Sequence, residues 1–190
     1  MVSYAVKPLS PETWDDFEQL FVKHKGVRGG CWCMYHRLSS SEFNRLSKEE
    51  RRERHKELTL RGKGHGLLVY DGQTPVAWCH FGPADVFIQY DRSRAYSRLA
   101  IAPEHKPDWR IACIFVDKHH RKQGLSAFTL HATMQMIRGK GGGVIEAFPL
   151  HVPGVERPSY TGSIAMYERE GFEEVCPLGV NKILMRRIMK

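Results

Sequence analysis

The chain contains no uninterrupted apolar stretch near the roughly 18 residues that a bilayer span requires. Its start, Met1-Val2-Ser3-Tyr4-Ala5-Val6-Lys7, lacks the apolar block of a secretory signal. A soluble, cytoplasmic protein with no membrane partner is the expectation. Cysteine is scarce: Cys31, Cys33, Cys79, Cys113 and Cys176 are odd in number and three of them stand singly in apolar runs. That argues against a secreted disulfide framework and for reduced thiols. No repeat period, low-complexity tract or linker is visible, and Gly139-Lys140-Gly141-Gly142-Gly143 joins two patterned segments as a loop does. With 190 residues, 42% hydrophobic and 26% charged, the chain suffices for one well-filled core and is read as a single domain over residues 1–190. What it has in excess is positive charge: 29 Lys and Arg against 21 Asp and Glu give a formal +8. Such a surplus attracts polyanions, whether nucleic acid, a membrane surface or a phosphorylated cofactor.

The hydrophobic pattern alternates strands with helices. Tyr4-Ala5-Val6 reads as a strand, and Ser10-Pro11 as a cap ahead of Trp14, Phe17, Leu20 and Phe21 at helical spacing. Ser39-Ser40-Ser41-Glu42 and Ser47-Lys48-Glu49-Glu50 match the capping box, so the charged run to Arg61 is predicted to be a solvated helix. Leu67 to Tyr70, the turn Asp71-Gly72 and Val76 to Phe81 predict an antiparallel hairpin. Pro83, Pro103 and Pro107 bracket a loop excursion over residues 82–108. A buried strand is expected over residues 111–116, a largely buried helix from Gly124, a strand over 144–148, a short helix over 163–170 and a last strand over 183–185. The order implies an α/β fold, a mixed sheet with helices on both faces.

The segment Phe115-Val116-Asp117-Lys118-His119-His120-Arg121-Lys122-Gln123-Gly124-Leu125-Ser126 carries the chemistry. A buried strand turns there through a basic loop into a helix whose first residues are small. Such a turn aims unpaired backbone N–H groups and the positive end of a helix dipole at one point, which suits a pyrophosphate. Gly124 lets a phosphate approach the backbone, and Arg121 and Lys122 offer countercharge. The competing reading is a solvated loop with a glycine at a helix start.

Arg121-Lys122-Gln123-Gly124-Leu125-Ser126 resembles the Arg/Gln-x-x-Gly-x-Gly/Ala motif of the GNAT N-acetyltransferase superfamily, with serine at the last place. Ser163-Ile164-Ala165-Met166-Tyr167-Glu168-Arg169-Glu170-Gly171-Phe172 is similar to that family's later helix, which bears a tyrosine before a Gly-Phe pair. Thr161-Gly162-Ser163 stands where the family often has an asparagine. The resemblance implies a mostly antiparallel GNAT-like sheet and acetyl-CoA as cosubstrate. Its pyrophosphate would lie on Arg121, Lys122, Gln123, Gly124, Leu125 and Ser126, with Ser163 nearby, and its pantetheine arm along Ile114, Phe115 and Val116. A backbone N–H near Val116 would stabilise the oxyanion. Tyr167 would protonate the leaving thiolate, a weak donor because a phenol of pKa ~10 faces a thiol of ~8.5. The alternative for Tyr167 is plain packing on Ile164.

An amine acceptor arrives protonated, so a base is needed; Glu146 is the first candidate, with His80 and His151 as rivals. Gly29-Gly30-Cys31-Trp32-Cys33-Met34-Tyr35-His36 is dense in residues costly to expose. Cys31, Cys33 and His36 with His24 form a conceivable zinc set, but Cys-x-Cys lacks the usual spacing and no second pair follows, so no metal is expected. The resemblance makes Cys31, Trp32, Cys33 and Tyr35, with Cys79 and His80, the wall of the acceptor pocket, against simple core packing. The expected activity is acetyl transfer to an amine, on a small molecule or a protein, by direct attack. The alternatives are a non-catalytic acyl-CoA sensor and a basic nucleic-acid module. Against the last, Glu49, Glu50, Glu53 and Glu57 interleave with Arg51, Arg52 and Arg54, so no single-sign stripe forms. A homodimer is compatible with all of these.

Overall fold

Alternating apolar residues build one sheet, and two amphipathic helices cover its faces. The structure, a computed structural model, describes residues 4–151 and 160–190. Strand β1 (Tyr4–Pro8) pairs antiparallel with β2 (Leu67–Asp71), which turns at Gly72, φ +58°, into β3 (Thr74–Pro83). Next come β4 (Trp109–Val116), β5 (Gly143–Ala147), β6 (Glu173–Leu178) and β7 (Lys182–Met189). The order across the sheet is β1-β2-β3-β4-β5-β7-β6, and every pair is antiparallel except β4 with β5. This is the mixed sheet with helices on both faces that the pattern implied, and it is mostly antiparallel, as the family resemblance implied.

Helix α1 (Trp14–Lys23) lays Trp14, Phe17, Leu20 and Phe21 on one face, against Leu68, Tyr70, Trp78 and Phe115. Helix α5 (Leu125–Gly139) packs Leu125, Leu130, Met134 and Ile137 on the other, against Val69, Cys79 and Ile114. Each large apolar side chain so buried contributes about 1.5–3 kcal/mol. Helices α2 (Ser40–Arg45) and α3 (Lys48–Leu60) begin with reciprocal capping boxes, Ser39 with Glu42 and Ser47 with Glu50.

Three expectations need correction. Helix α3 is not solvated all round: His55 and Thr59 are buried, the His55 ring edge-on to Trp14 and Phe17, and its Nδ1–H donates to the Trp32 carbonyl at 2.9 Å. Its inward face is polar, so hydrophobic periodicity does not register it. The excursion over residues 82–108 contains helix α4 (Ile88–Asp91), and its Phe87, Tyr90 and Tyr96 join Phe148, Leu178 and Leu184 in a third buried cluster. Strand β6 was not anticipated, because its residues are mostly exposed and include Pro177, as befits an edge strand. Arg52 and Arg54 of α3 meet acids, Glu18 and Glu42, and Arg61 just past its end meets Glu57. Among the described residues no helix is long and apolar enough to cross a membrane.

The parallel pair that opens the site is short. Trp109, Arg110 and Ile111 register with Ile145, Glu146 and Ala147, and beyond Ile111 the two strands part. The gap runs the rest of β4, and helix α6 (Ile164–Arg169) stands behind it with Tyr167 in the core.

Candidate active site

Strand β4 ends at Val116 and the chain turns through Asp117 into the N-terminus of α5. Asp117 is fully buried and locks this turn: its carboxylate accepts from the His119 N–H at 2.9 Å and lies against Lys23 and His24 at the end of α1. Despite the cost of burial, those partners hold its pKa well below the usual carboxylate range. The turn then needs two left-handed residues, Lys122 at φ +61° and Gly124 at φ +76°. A β-carbon on Gly124 would meet no protein atom within 4 Å, so glycine answers there to the backbone angle and the open space before the helix. Helix α5 carries no acid in its first turn, and its leading N–H groups face outward beside Arg121 and Lys122. A cavity of about 230 Å³ lies at this point, lined by Ile114, Phe115, Val116, Arg121, Lys122, Gly124, Leu125 and Ser126. His120 and Tyr160 complete the wall, and neither had been singled out.

Two residues expected to contact the cofactor, Gln123 and Ser163, are not among those lining this cavity. The Gln123 side chain turns back toward the His119 carbonyl at 3.4 Å. Ser163 is exposed at the start of α6, its carbonyl accepting from Met166 and Tyr167. The strand edge is also partly taken, because the Ile114 N–H donates to the Tyr160 carbonyl at 2.6 Å. The Asp117 N–H points the other way, to Val76 on β3, so alternation turns the Val116 N–H toward the open side with that of Ile114.

Tyr160 divides this cavity from a second one of about 200 Å³, whose wall includes Cys31, Cys33, Tyr35, His36, His80 and Cys113. The loop that supplies the first four is strained: Lys25, Val27, Arg28, Trp32 and Cys33 all have positive φ, between +38° and +57°. Left-handed non-glycine residues cost about 1–3 kcal/mol each and collect at functional sites. Gly26 cannot be replaced without shifting its surroundings, since a β-carbon would sit 2.7 Å from the Trp32 indole nitrogen. The Trp78 indole N–H donates to the Cys33 sulfur at 3.0 Å. Burial pushes the Cys33 thiol well up, whereas a hydrogen bond from Cys33, aided by Arg28 and Arg51, lowers Cys31. Among the described residues no group of three or more His, Cys, Asp or Glu can hold a metal ion.

Two residues expected on this wall face elsewhere. Trp32 turns inward and stacks on Phe21 at 5.6 Å, part of the core beneath α1. Cys79 precedes His80 on β3, and strand neighbours point to opposite faces, so it packs under α5, where burial raises its thiol to about 12. His80 itself is fully buried in the wall, against the rings of Trp78 and Phe87, and neither ring nitrogen has a hydrogen-bond partner. Burial first, and the Arg37 guanidinium second, keep it neutral, well below the usual imidazole range.

The candidate base and acid sit outside both cavity walls. Glu146 is fully buried in an ion cluster, accepting from the Tyr96 hydroxyl at 2.7 Å and from Arg186 at 2.9 Å, with the Arg110 Nε at 3.5 Å. Its carboxylate is therefore committed to structure. His151, the other rival, is exposed and donates its backbone N–H to Asn181. Tyr167 is fully buried with its ring on Phe172 and its hydroxyl unpartnered; burial, with Cys79, Tyr90 and Cys113 facing it, keeps it a phenol.

Sequence pattern missed Val27, Arg28, Phe43, Ala112, Cys113, Tyr160 and Thr161, which line the second cavity. The one signal available was the run of glycines around Arg28; the rest come together only through the fold.

A family model described as the acetyltransferase (GNAT) family matches residues 32–172. No curated protein matches. Among solved structures, an acetyltransferase from Thermus thermophilus is 16% identical with TM-score 0.54, over 98% of this chain and 97% of that one. PaiA N-acetyltransferase from Thermoplasma acidophilum, solved with coenzyme A, is 12% identical with TM-score 0.53, over 98% and 99%. The protein yncA from Salmonella typhimurium, solved with its cofactor acetyl-CoA, is 12% identical with TM-score 0.55, over 98% and 94%. At these identities the likeness is one of fold.

Proposed function

Because the chain belongs to the acetyltransferase (GNAT) family, we propose that it is an N-acetyltransferase moving the acetyl group of acetyl-CoA directly to an amine. The observation that carries this reading is the pairing of a backbone-built anion turn with a separate, mostly apolar cavity, the two meeting at Tyr160 on the open edge of β4. The residues fit acetyl-CoA. The outward N–H groups of α5 with Arg121 and Lys122 suit its pyrophosphate, and the Val116 N–H suits its extended arm. The Tyr167 hydroxyl, buried without an acceptor, is a donor awaiting a partner.

The cosubstrate supplies an acetyl group on sulfur. As the amine nitrogen bonds to the acetyl carbon the C–S bond breaks, the nitrogen loses a proton and the sulfur gains one. Tyr167 is assigned as the donor to sulfur. For the proton from nitrogen we assign His80 in place of Glu146, because its ring is neutral, unpartnered and part of the acceptor wall, whereas Glu146 is neutralised by Arg110 and Arg186. A base of low pKa can act only on a nitrogen that arrives as free amine and becomes acidic on attack, which fits a cavity with no carboxylate among its described residues.

The test is a thermal-shift titration with acetyl-CoA together with thiol release over a panel of amines. A ligand bound only to the native state raises Tm. A flat titration would remove acetyl-CoA from the reading, and a shift without thiol release from any amine would leave a binding protein.

A further inference from the structure

The acceptor cavity adjoins a groove of about 410 Å³ beside β6 and β7; Tyr35 and His36 stand in the walls of both. Their described walls contain no Asp or Glu, but each contains a cation, Arg28 in the cavity and Lys182 in the groove. Elsewhere Arg110 is matched by Asp91 and Glu146, Arg186 by Glu146 and Arg52 by Glu18, while the half-buried Arg37 and Arg51 donate to backbone carbonyls of Lys63, Phe43 and Gly30. Arg28, which is exposed, and Lys182, which is half-buried, have neither an ion-pair partner nor a side-chain hydrogen bond among the described residues. They are also close enough to act on the same groups. Burial lowers the Lys182 ammonium and Arg28 lowers it further, while His36 is held down to about 3 by burial, Lys182 and Arg28. Two unmatched cations over low-dielectric aromatic walls concentrate positive potential, which repels an ammonium and draws an anion.

Resting on the acetyltransferase reading, we infer that the acceptor is a small molecule carrying an amine and an anionic group, a carboxylate or a phosphate, with the anion between Arg28 and Lys182. Its apolar body lies on Tyr35, His36 and Phe43, and its amine reaches toward His80. The anion also supplies negative charge that the described walls lack.

Matched acceptors test this on the full chain, with acetyl-CoA held constant and thiol release as the readout. The pairs are phenylalanine with phenethylamine, which differ by a carboxylate, and phosphoethanolamine with ethanolamine, which differ by a phosphate. The anionic member of at least one pair is expected to have a kcat/KM higher by about tenfold or more, the worth of one charge-assisted contact. Which pair responds identifies the anion. Arg28→Ala and Lys182→Ala are expected to raise KM for that member by a similar factor, leaving its uncharged-tail partner and the acetyl-CoA thermal shift unchanged. Equal rates within both pairs, faster turnover of the amines without an anion, or variants that affect both members alike would overturn the inference. Thermal shift by the four amines alone, without acetyl-CoA, reads anion preference separately. If acetyl-CoA fails to bind but the anionic amines still stabilise the protein more than their partners through Arg28 and Lys182, the acetyltransferase reading fails and the anion site stands. If no amine is turned over and none of the anionic ones stabilises the protein, the anion site fails.

Discussion

The two cavities that meet at Tyr160 are built by opposite means. On the β4–α5 side the working groups are backbone: one strand edge, one turn and one helix N-terminus, contiguous over residues 114–126, with charge added from two exposed side chains. On the other side they are side chains from α2, β3, β4 and a strained loop, mostly aromatic, thiol and imidazole, with Arg28 the one cation and no carboxylate among the described residues. A backbone cradle can hold the same pyrophosphate whatever amine is acetylated, so its requirements are few: a glycine, small residues and a basic turn. A side-chain cavity is shaped to one acceptor, and its residues are drawn from wherever the fold brings them.

The largest test of that division is Tyr167→Phe. If the orphaned phenol supplies the proton to sulfur, turnover falls by about 10²-fold or more while the acetyl-CoA thermal shift is retained. Turnover at the wild-type rate across the pH range would return Tyr167 to packing on Phe172. Next in size, Gly124→Val acts on the backbone side alone. A β-branched residue at φ +76° costs about 1–3 kcal/mol and intrudes on the phosphate approach, so Kd for acetyl-CoA rises about tenfold or more. Arg121→Ala, which removes a single exposed charge, gives a smaller loss of a few-fold. An unchanged acetyl-CoA shift in Gly124→Val would sink the cradle.

The pH dependence of stability reads the buried side. His36 and His55 are held down to about 3 and His65 to about 4, in each case first by burial. In the unfolded chain these imidazoles take protons near pH ~6.5, so protonation favours unfolding. Their contribution is whole above pH ~6.5 and is lost as pH falls through that value toward the folded values. Melting temperature is expected to decline steadily between pH 7 and pH 4, and a flat curve over that range would show that these rings reach water. The smallest effect belongs to the thiols. Serine at both Cys31 and Cys33 should alter the acceptor's KM and leave acetyl-CoA binding as it is, whereas an acetylated cysteine trapped without acceptor would replace direct attack with a covalent route.

Legibility followed the same boundary. Gly124, Arg121 and the strand before them lie within a dozen residues, so their spacing alone described the turn, and the capping serines at 39 and 47 marked where two helices begin, though not the break between them after Arg45. The strand order, with β4 and β5 parting after Ile111, follows from no local pattern. Cys79 and Trp32 look like wall residues in a list, but strand alternation turns one under α5 and aromatic stacking draws the other under α1. Glu146 looks like a base until three partners from β4, β7 and the 82–108 excursion are seen to close on it.

What the amino-acid sequence determined unaided was whatever depends on neighbours: capping, the hairpin turn, the helix-facing stripes, the glycine turn into α5 and the net positive charge. Tertiary structure decided which charges are matched and which are not. Arg110 and Arg28 are the same residue type, yet one is buried between Asp91 and Glu146 and the other stands at a cavity mouth without a partner among the described residues. The reason is physical: a charge pair forms through space over a few ångströms, and sequence separation says nothing about that distance until the chain has folded.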